Sequence, residues 1–259
     1  MKKVLSFLFV YLMFSSIVMA KDIRFVQITD VRYSDSNNNL TTVVNAVNSE
    51  KNVKFVIFTG DNIERPAKEN LEGFIKEANR LKVPYYIAYG DKDVNKYKDF
   101  GKKEYTKLLR KKAKKYKQDS TNYVFEKEGV IFFVVDGSKE VIPSTNGYYK
   151  ADVLDWLDAN LALYPNKNVV IFQHFPLIPP GDNENYFTFK PEPYLKIVGE
   201  HKKIRAIISG HFGINKEETV DGVLHISTAP APAYRVIDMV DCNSKTPSFW
   251  AQIKEAKKD

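Results

Sequence analysis

Five short apolar runs in this chain each run into a carboxylate or an imidazole. Ile23–Ile28 is followed by Thr29-Asp30-Val31-Arg32, Val53–Phe58 by Thr59-Gly60-Asp61-Asn62, and Tyr85–Tyr89 by Gly90-Asp91-Lys92-Asp93. Val169–Phe172 leads to Gln173-His174-Phe175-Pro176, and Ile204–Ile208 to Ser209-Gly210-His211-Phe212-Gly213. One Gly-Asp is ordinarily a turn, but five such endings in one chain point to a shared site. Three carboxylates converging on one sheet edge repel one another and need cations among them. Two imidazoles with those carboxylates make a mixed nitrogen and oxygen donor set suited to Zn, Mn or Fe. A divalent ion so held lowers the pKa of bound water to about 7 and polarises a phosphoryl oxygen.

For these residues to meet, their runs must be strands of one parallel arrangement, because ligands in such sheets bind beyond the strands' carboxyl ends. The runs have strand length and near-continuous apolarity, the mark of strands buried on both faces; Ile131–Val135 is a sixth. Helical patterns lie between them: Leu40, Val43, Val44 and Val47; Leu71, Phe74, Ile75 and Ala78; Val153, Leu154, Leu157 and Leu161. Strands alternating with helices predict an α/β domain with a mainly parallel sheet. After Gly213 the pattern changes. Asp221-Gly222 between Lys216–Val220 and Val223–Thr228 predicts a hairpin, and Tyr234–Val240 and Ser248–Ile253 read as further strands, so an antiparallel C-terminal part is expected.

At the N-terminus, Lys2 and Lys3 precede an apolar run from Val4 to Val18 that ends in Val18-Met19-Ala20. This is the layout of a secretory signal cleaved after Ala20; a membrane span needs roughly 20 apolar residues. Residues 1–20 are therefore expected to be a signal peptide and 21–259 one domain, secreted or periplasmic. Cys242 is the single cysteine, which excludes an intrachain disulfide. The formal charge of +7 favours anionic partners without bearing on fold.

In this order and spacing, from about Phe25 to Gly213, the chain resembles the calcineurin-like metallophosphoesterases, whose motifs run Asp-x-His, Gly-Asp, Gly-Asn-His-Asp, a lone His, and Gly-His-x-His. Leu154-Asp155-Trp156-Leu157 resembles a helix that members carry before the lone His. The resemblance implies a four-layer α/β/β/α sandwich with mixed sheets and hydrolysis of phosphate esters at two metal ions. Arg32, Lys92 and Gly213 stand where the family has His, and Asp91 where it has Asn. By the resemblance the second ion's ligands are Asp61, Asp91, His174 and His211, all competent donors, whereas the first ion keeps only Asp30 and Asp61.

The expectation is thus an exported phosphoesterase with one divalent transition metal at Asp61, Asp91, His174 and His211, identity Zn, Mn or Fe. Arg32 and Lys92, beside Asp30, supply the missing cation's charge, and a guanidinium can clamp a phosphoryl oxygen bidentately. The expected partner is a phosphorylated small molecule or other phosphoester. The competing reading is a pseudoenzyme in which Arg32 and Lys92 neutralise an abandoned, metal-free site and the protein binds a ligand or partner without turnover.

Other features have plainer readings. Lys102 to Lys117 reads as an amphipathic helix, a solvated face rather than a dock for nucleic acid or an anionic surface. His225 reads as a packed or edge histidine. Tyr186, Phe187 and Phe189 are candidates to line a pocket beside His174, and Asp93 either orients its neighbours or is a turn carboxylate.

Overall fold

The computed structural model describes residues 21–257 except 38 and 117; the expected signal segment lies outside the described residues. Among the described residues, eleven strands and five α-helices follow one another as β1 (Ile23–Ile28), α1 (Asn39–Ser49), β2 (Val53–Thr59), α2 (Lys68–Ala78), β3 (Tyr85–Ala88), α3 (Lys102–Lys112), β4 (Tyr123–Lys127), β5 (Val130–Val134), α4 (Ala151–Leu161), β6 (Val169–Phe172), α5 (Glu192–Glu200), β7 (Ile204–Ser209), β8 (Lys216–Val220), β9 (Val223–Ser227), β10 (Ala233–Val240) and β11 (Ser248–Glu255). They form two mixed sheets of order β11-β10-β1-β2-β3 and β4-β5-β6-β7-β9-β8.

Strand alternation explains the layering. Phe132, Val134, Val170, Phe172, Ala206 and Ile208 point into the core shared with the first sheet. Their neighbours Ile131, Phe133, Val169, Ile171 and Ile207 pack with Leu154, Leu157, Tyr194 and Val198 of α4 and α5. Helices α1, α2 and α3 bury Val43, Val44, Leu71, Phe74 and Leu109 in the core that holds the first sheet. The expected α/β/β/α sandwich results, with both faces of the parallel strands covered. Between the sheets the rings interlock: Phe25 stacks on Phe55 at 5.0 Å, Phe132 on Phe172 at 5.7 Å, and Phe55 meets Phe132 edge to face at 5.1 Å.

Two expectations need correction. The C-terminal part is not wholly antiparallel, since β9 pairs antiparallel with β8 but parallel with β7. The lysine-rich helix stops at Lys112 rather than Lys117. Asn79 ends it, its side chain donating to Lys112 O at 3.1 Å and accepting from Lys114 N at 2.9 Å. That side chain competes with the helical backbone bonds of the next turn.

The sheets are joined by polar contacts as well as by rings. Gln27 of β1 donates to Thr59 Oγ1 at 2.9 Å and Ser209 O at 2.8 Å, and accepts from Thr228 Oγ1 at 2.6 Å. The fully buried Arg235 donates to Thr228 Oγ1 at 3.0 Å and pairs with Glu217. At the opposite end Cys242 is buried, and its carbonyl accepts from Asn168 Nδ2 at 2.9 Å. Among the described residues no helix is long and apolar enough to cross a membrane.

His225, on β9 opposite Glu218, is a packed histidine, as its place in the sequence suggests. Burial pushes its pKa down to about 4, with Glu218 opposing. The unfolded chain therefore takes up this proton first as the solution is acidified. His225 contributes stability above pH ~6.5 that is lost as pH falls towards 4, on the order of 2–3 kcal/mol. Urea melts from pH 7 to 4 should show wild type losing more stability than His225→Gln; parallel curves would refute the assignment.

Candidate metal centre

The site forms where the two sheets meet. On one side the loops after β1 and β2 are zipped together, Asp30 N donating to Gly60 O at 3.0 Å and Arg32 N to Asp61 O at 2.9 Å. On the other, Gly210 N donates to His174 O at 3.1 Å. Two bonds cross between the sides. His174 Nδ1–H donates to Thr59 O at 2.7 Å, and His211 N donates to Asp30 Oδ2 at 2.9 Å. The first leaves His174 Nε2 to face the cluster, the outer hydrogen bond typical of metal-ligating histidines.

The chain bends sharply to bring these groups in. Asp30 (φ 49°), Arg32 (φ 48°), Asp61 (φ 50°) and His211 (φ 72°) all occupy the left-handed region. Each stores on the order of 1 kcal/mol that the surrounding structure must hold. Gly60 (φ 92°) lies so close to His174 that a Cβ there would sit 2.4 Å from Nδ1.

The donor atoms fall into two triplets that share His174. Asp91, His174 and His211 offer atoms all within 4.8 Å of one another, as do Asp30, Asp61 and His174. His174 Nε2 lies 3.4 Å from both Asp61 Oδ1 and Asp91 Oδ1 and 3.1 Å from His211 Nδ1. His211 Nδ1 is 3.3 Å from Asp91 Oδ1. Asp91 Oδ1 and His211 Nε2 are buried without a hydrogen-bond partner. A buried carboxylate oxygen facing two ring nitrogens with no donor of its own calls for a cation. The residues therefore fit a divalent ion, and Asp91, His174 and His211 would hold it, with Asp61 adjoining through His174.

The protonation pattern reflects the same demand. Burial alone would lower the His174 pKa, but Asp61, Asp91 and Asp30 push it up to about 10. Burial raises Asp61 well above the usual carboxylate range despite His174, and Asp91 and Asp30 add to the rise. Burial would raise Asp91, but the facing His174 and His211 rings hold it well below the usual carboxylate range. Burial lowers His211, and the neighbouring His174 opposes its charge. Without a metal, a protonated His174 and the Arg32 guanidinium offset part of the carboxylates' charge; a divalent ion would replace the His174 proton.

Arg32 lies against the two carboxylates that follow β1 and β2. Its Nη2 is 3.4 Å from Asp30 Oδ1 and its Nε 3.7 Å from Asp61 Oδ2, with the side chain 38% exposed. Lys92 is placed differently from expectation: its backbone N–H, not its ammonium, reaches Asp61 Oδ1 at 3.0 Å, and no ion pair of its side chain is found among the described residues. Gly213 (φ 73°) faces open space, with only Pro230 Cδ within reach of a Cβ.

Asp93 turns out to be a brace. It accepts from Asn62 N at 2.8 Å, Asn62 Nδ2 at 2.9 Å, Ile63 N at 3.2 Å and Gly90 N at 2.8 Å, fastening the second and third motifs together. Burial pushes its pKa up to about 6 against those bonds. Of the three candidate aromatics, Tyr186 borders His211 with ring centroids 5.0 Å apart. Phe187 reaches Phe212 at 6.1 Å, and Phe189 lies against Tyr148 at 5.8 Å. Neither meets His174. One residue escapes a reading of the sequence alone: Thr59 acts through its backbone carbonyl, which leaves no trace in residue type.

With this geometry the comparisons agree. The chain belongs to the calcineurin-like phosphoesterase family, whose sequence model matches residues 23–214. A protein of Arcobacter nitrofigilis described as a probable glycerophosphodiester phosphodiesterase, GpdQ, is 24% identical over 187 residues, 70% of this chain and 64% of that protein. The chain thus spans just under two thirds of that relative's length. Among solved structures, a dimetal phosphatase from Danio rerio superposes with a TM-score of 0.65 at 17% identity, covering 91% of this chain and 99% of that one. TT1561 of Thermus thermophilus gives a TM-score of 0.63 at 11% identity, covering 92% and 100%. These two likenesses concern the fold.

Proposed function

We propose that this protein is a metal-dependent phosphoesterase that hydrolyses phosphodiesters with one divalent ion held by Asp61, Asp91, His174 and His211. The observation that carries it is the partnerless Asp91 Oδ1, buried within 3.4 Å of His174 Nε2 and 3.3 Å of His211 Nδ1. Preference for diesters rests on the name of the Arcobacter relative. When bound, the ion would lower the pKa of water and polarise a phosphoryl oxygen. Arg32, part-exposed beside Asp30 and Asp61, donates to the phosphoryl oxygens. Asp30 holds Arg32 and the His211 backbone in place, Thr59 O fixes the His174 ring, and Tyr186 covers one side of His211.

A second reading is favoured by one observation: Arg32 is already paired with two of the carboxylates. Its extreme form is a ligand-binding protein with His174 protonated and no metal. Metal analysis of protein purified without added metal should find about one equivalent of transition metal, and bis(p-nitrophenyl) phosphate should be hydrolysed. No metal under any loading condition would establish the second reading instead.

The proposal of export rests on the sequence of residues 1–20, and N-terminal sequencing of the mature protein should begin at Lys21.

A further inference from the structure

The rule that locates the site, reading the residues just beyond each parallel strand, applies equally to β5. That strand pairs parallel with β6 in the register Val134↔Phe172, so its carboxyl end lies on the edge that carries His174. Asp136-Gly137-Ser138-Lys139-Glu140 comes shortly after it. The loop is pinned on both sides. Glu140 O accepts from Lys96 N at 2.8 Å, joining it to the segment after Asp91, and Gly137 O accepts from Tyr148 N at 2.9 Å. A Cβ on Gly137 would lie 2.9 Å from the Tyr149 ring and 3.2 Å from the Phe175 ring. The Phe175 ring in turn lies 4.8 Å from those of His174 and His211.

We propose that Lys139 is a substrate-binding residue at the Asp91 end of the cluster, as Arg32 is at the Asp30 end, and that the cavity it borders receives the second alcohol of a phosphodiester. The cavity measures about 390 Å³ and is lined by Lys139, Tyr148, Val141, Ile142 and Asn122 among others. Such a volume suits a small organic group. Ile142 and Val141 are 74% and 45% exposed there, an apolar rim for an ester arm.

Burial and pairing together separate Lys139 from the other charges of the lining: Lys150 and Asp152 also border the cavity but are exposed, whereas Lys139 is half-buried. Lys102 is committed to Asp136 at 2.7 Å and to Ser138 O at 2.9 Å. Glu140 accepts from Lys102 N at 2.7 Å. No ion pair of Lys139 is found among the described residues, and burial lowers its pKa, with Asp91 the charge that opposes the drop. A partly desolvated ammonium with no carboxylate in contact, in the loop beyond the strand edge that carries His174, is a cation suited to an anion.

The inference rests on the phosphoesterase reading for the phosphodiester but not for anion binding, and the test separates the two. Titrating the full-length chain with inorganic phosphate in the presence of Mn²⁺ should show Lys139→Ala binding about tenfold more weakly than wild type. Lys139→Arg should come within about threefold of wild type, and Lys196→Ala, which removes a distant surface charge, should equal wild type. With bis(p-nitrophenyl) phosphate, Lys139→Ala should raise KM about tenfold and change kcat less. Phosphate affinity of Lys139→Ala within twofold of wild type, or a wild type that binds no phosphate, overturns the proposal. A wild type that binds phosphate through Lys139 yet hydrolyses no ester overturns only the hydrolase reading.

Discussion

Replacing His174 with alanine should abolish retention of the metal and lower phosphodiester turnover by at least about 10²–10³-fold. Among the described residues no other side chain belongs to both donor triplets. Its Nε2 stands 3.4 Å from two carboxylates and 3.1 Å from the second imidazole. The loss is also structural. His174 Nε2 also pairs with the buried Asp61 and Asp91 carboxylates, and removing one partner of a buried ion pair costs about 3–5 kcal/mol. Metal analysis, a diesterase assay and thermal melts together test this. Added Mn²⁺ should raise the wild-type Tm, because ligands that bind only the native state stabilise it, and should leave His174→Ala unmoved. A variant that keeps its metal would remove His174 from the site.

The second large effect should follow from a single methyl group. A Cβ at position 90 would lie 2.3 Å from both Asp61 N and Asp61 Oδ1 and 3.0 Å from His174 Nε2. The atoms it would strike are backbone and buried ligand, neither free to swing away. Gly90→Ala should therefore cost about 2–3 kcal/mol by overpacking, a drop in Tm of about 5–10 °C for a chain of this size, and should weaken metal binding as well. Gly199 gives the contrast. It lies within α5 with nothing within 4 Å of a Cβ, so Gly199→Ala should leave activity alone and stabilise by up to about 1 kcal/mol. Equal melting temperatures for the two variants would show that the crowding around Gly90 is not real.

How far the sequence discloses this arrangement depends on the kind of signal each residue leaves. Asp30, Asp61 and Asp91 follow buried strands of one sheet and His174 and His211 those of the other; parallel strands place each group on one edge of its sheet, and the family resemblance supplies the meeting of the two edges. Arg32 is legible as a charge replacing a ligand. Lys92 is not, because residue type cannot say which of its groups, backbone or ammonium, faces Asp61. The bracing role of Asp93 depends on where the second and third motif loops cross, which no local pattern encodes. Lys139 leaves a fainter form of the same signal, since it too lies just beyond a buried parallel strand but is neither acid nor imidazole. The helix end at Lys112 is hidden because Asn79, which stops it, is remote in sequence.

Cys242 has a practical consequence. It is the chain's single thiol, fully buried, and its carbonyl is held by Asn168, which precedes β6 of the other sheet. Burial also raises the thiol's pKa, which suppresses the reactive thiolate. Alkylating reagents should thus be excluded until the two layers part. The rate of mass gain on exposure to iodoacetamide becomes a clock for that separation, readable without any engineered label, and loading the distant metal centre should slow it.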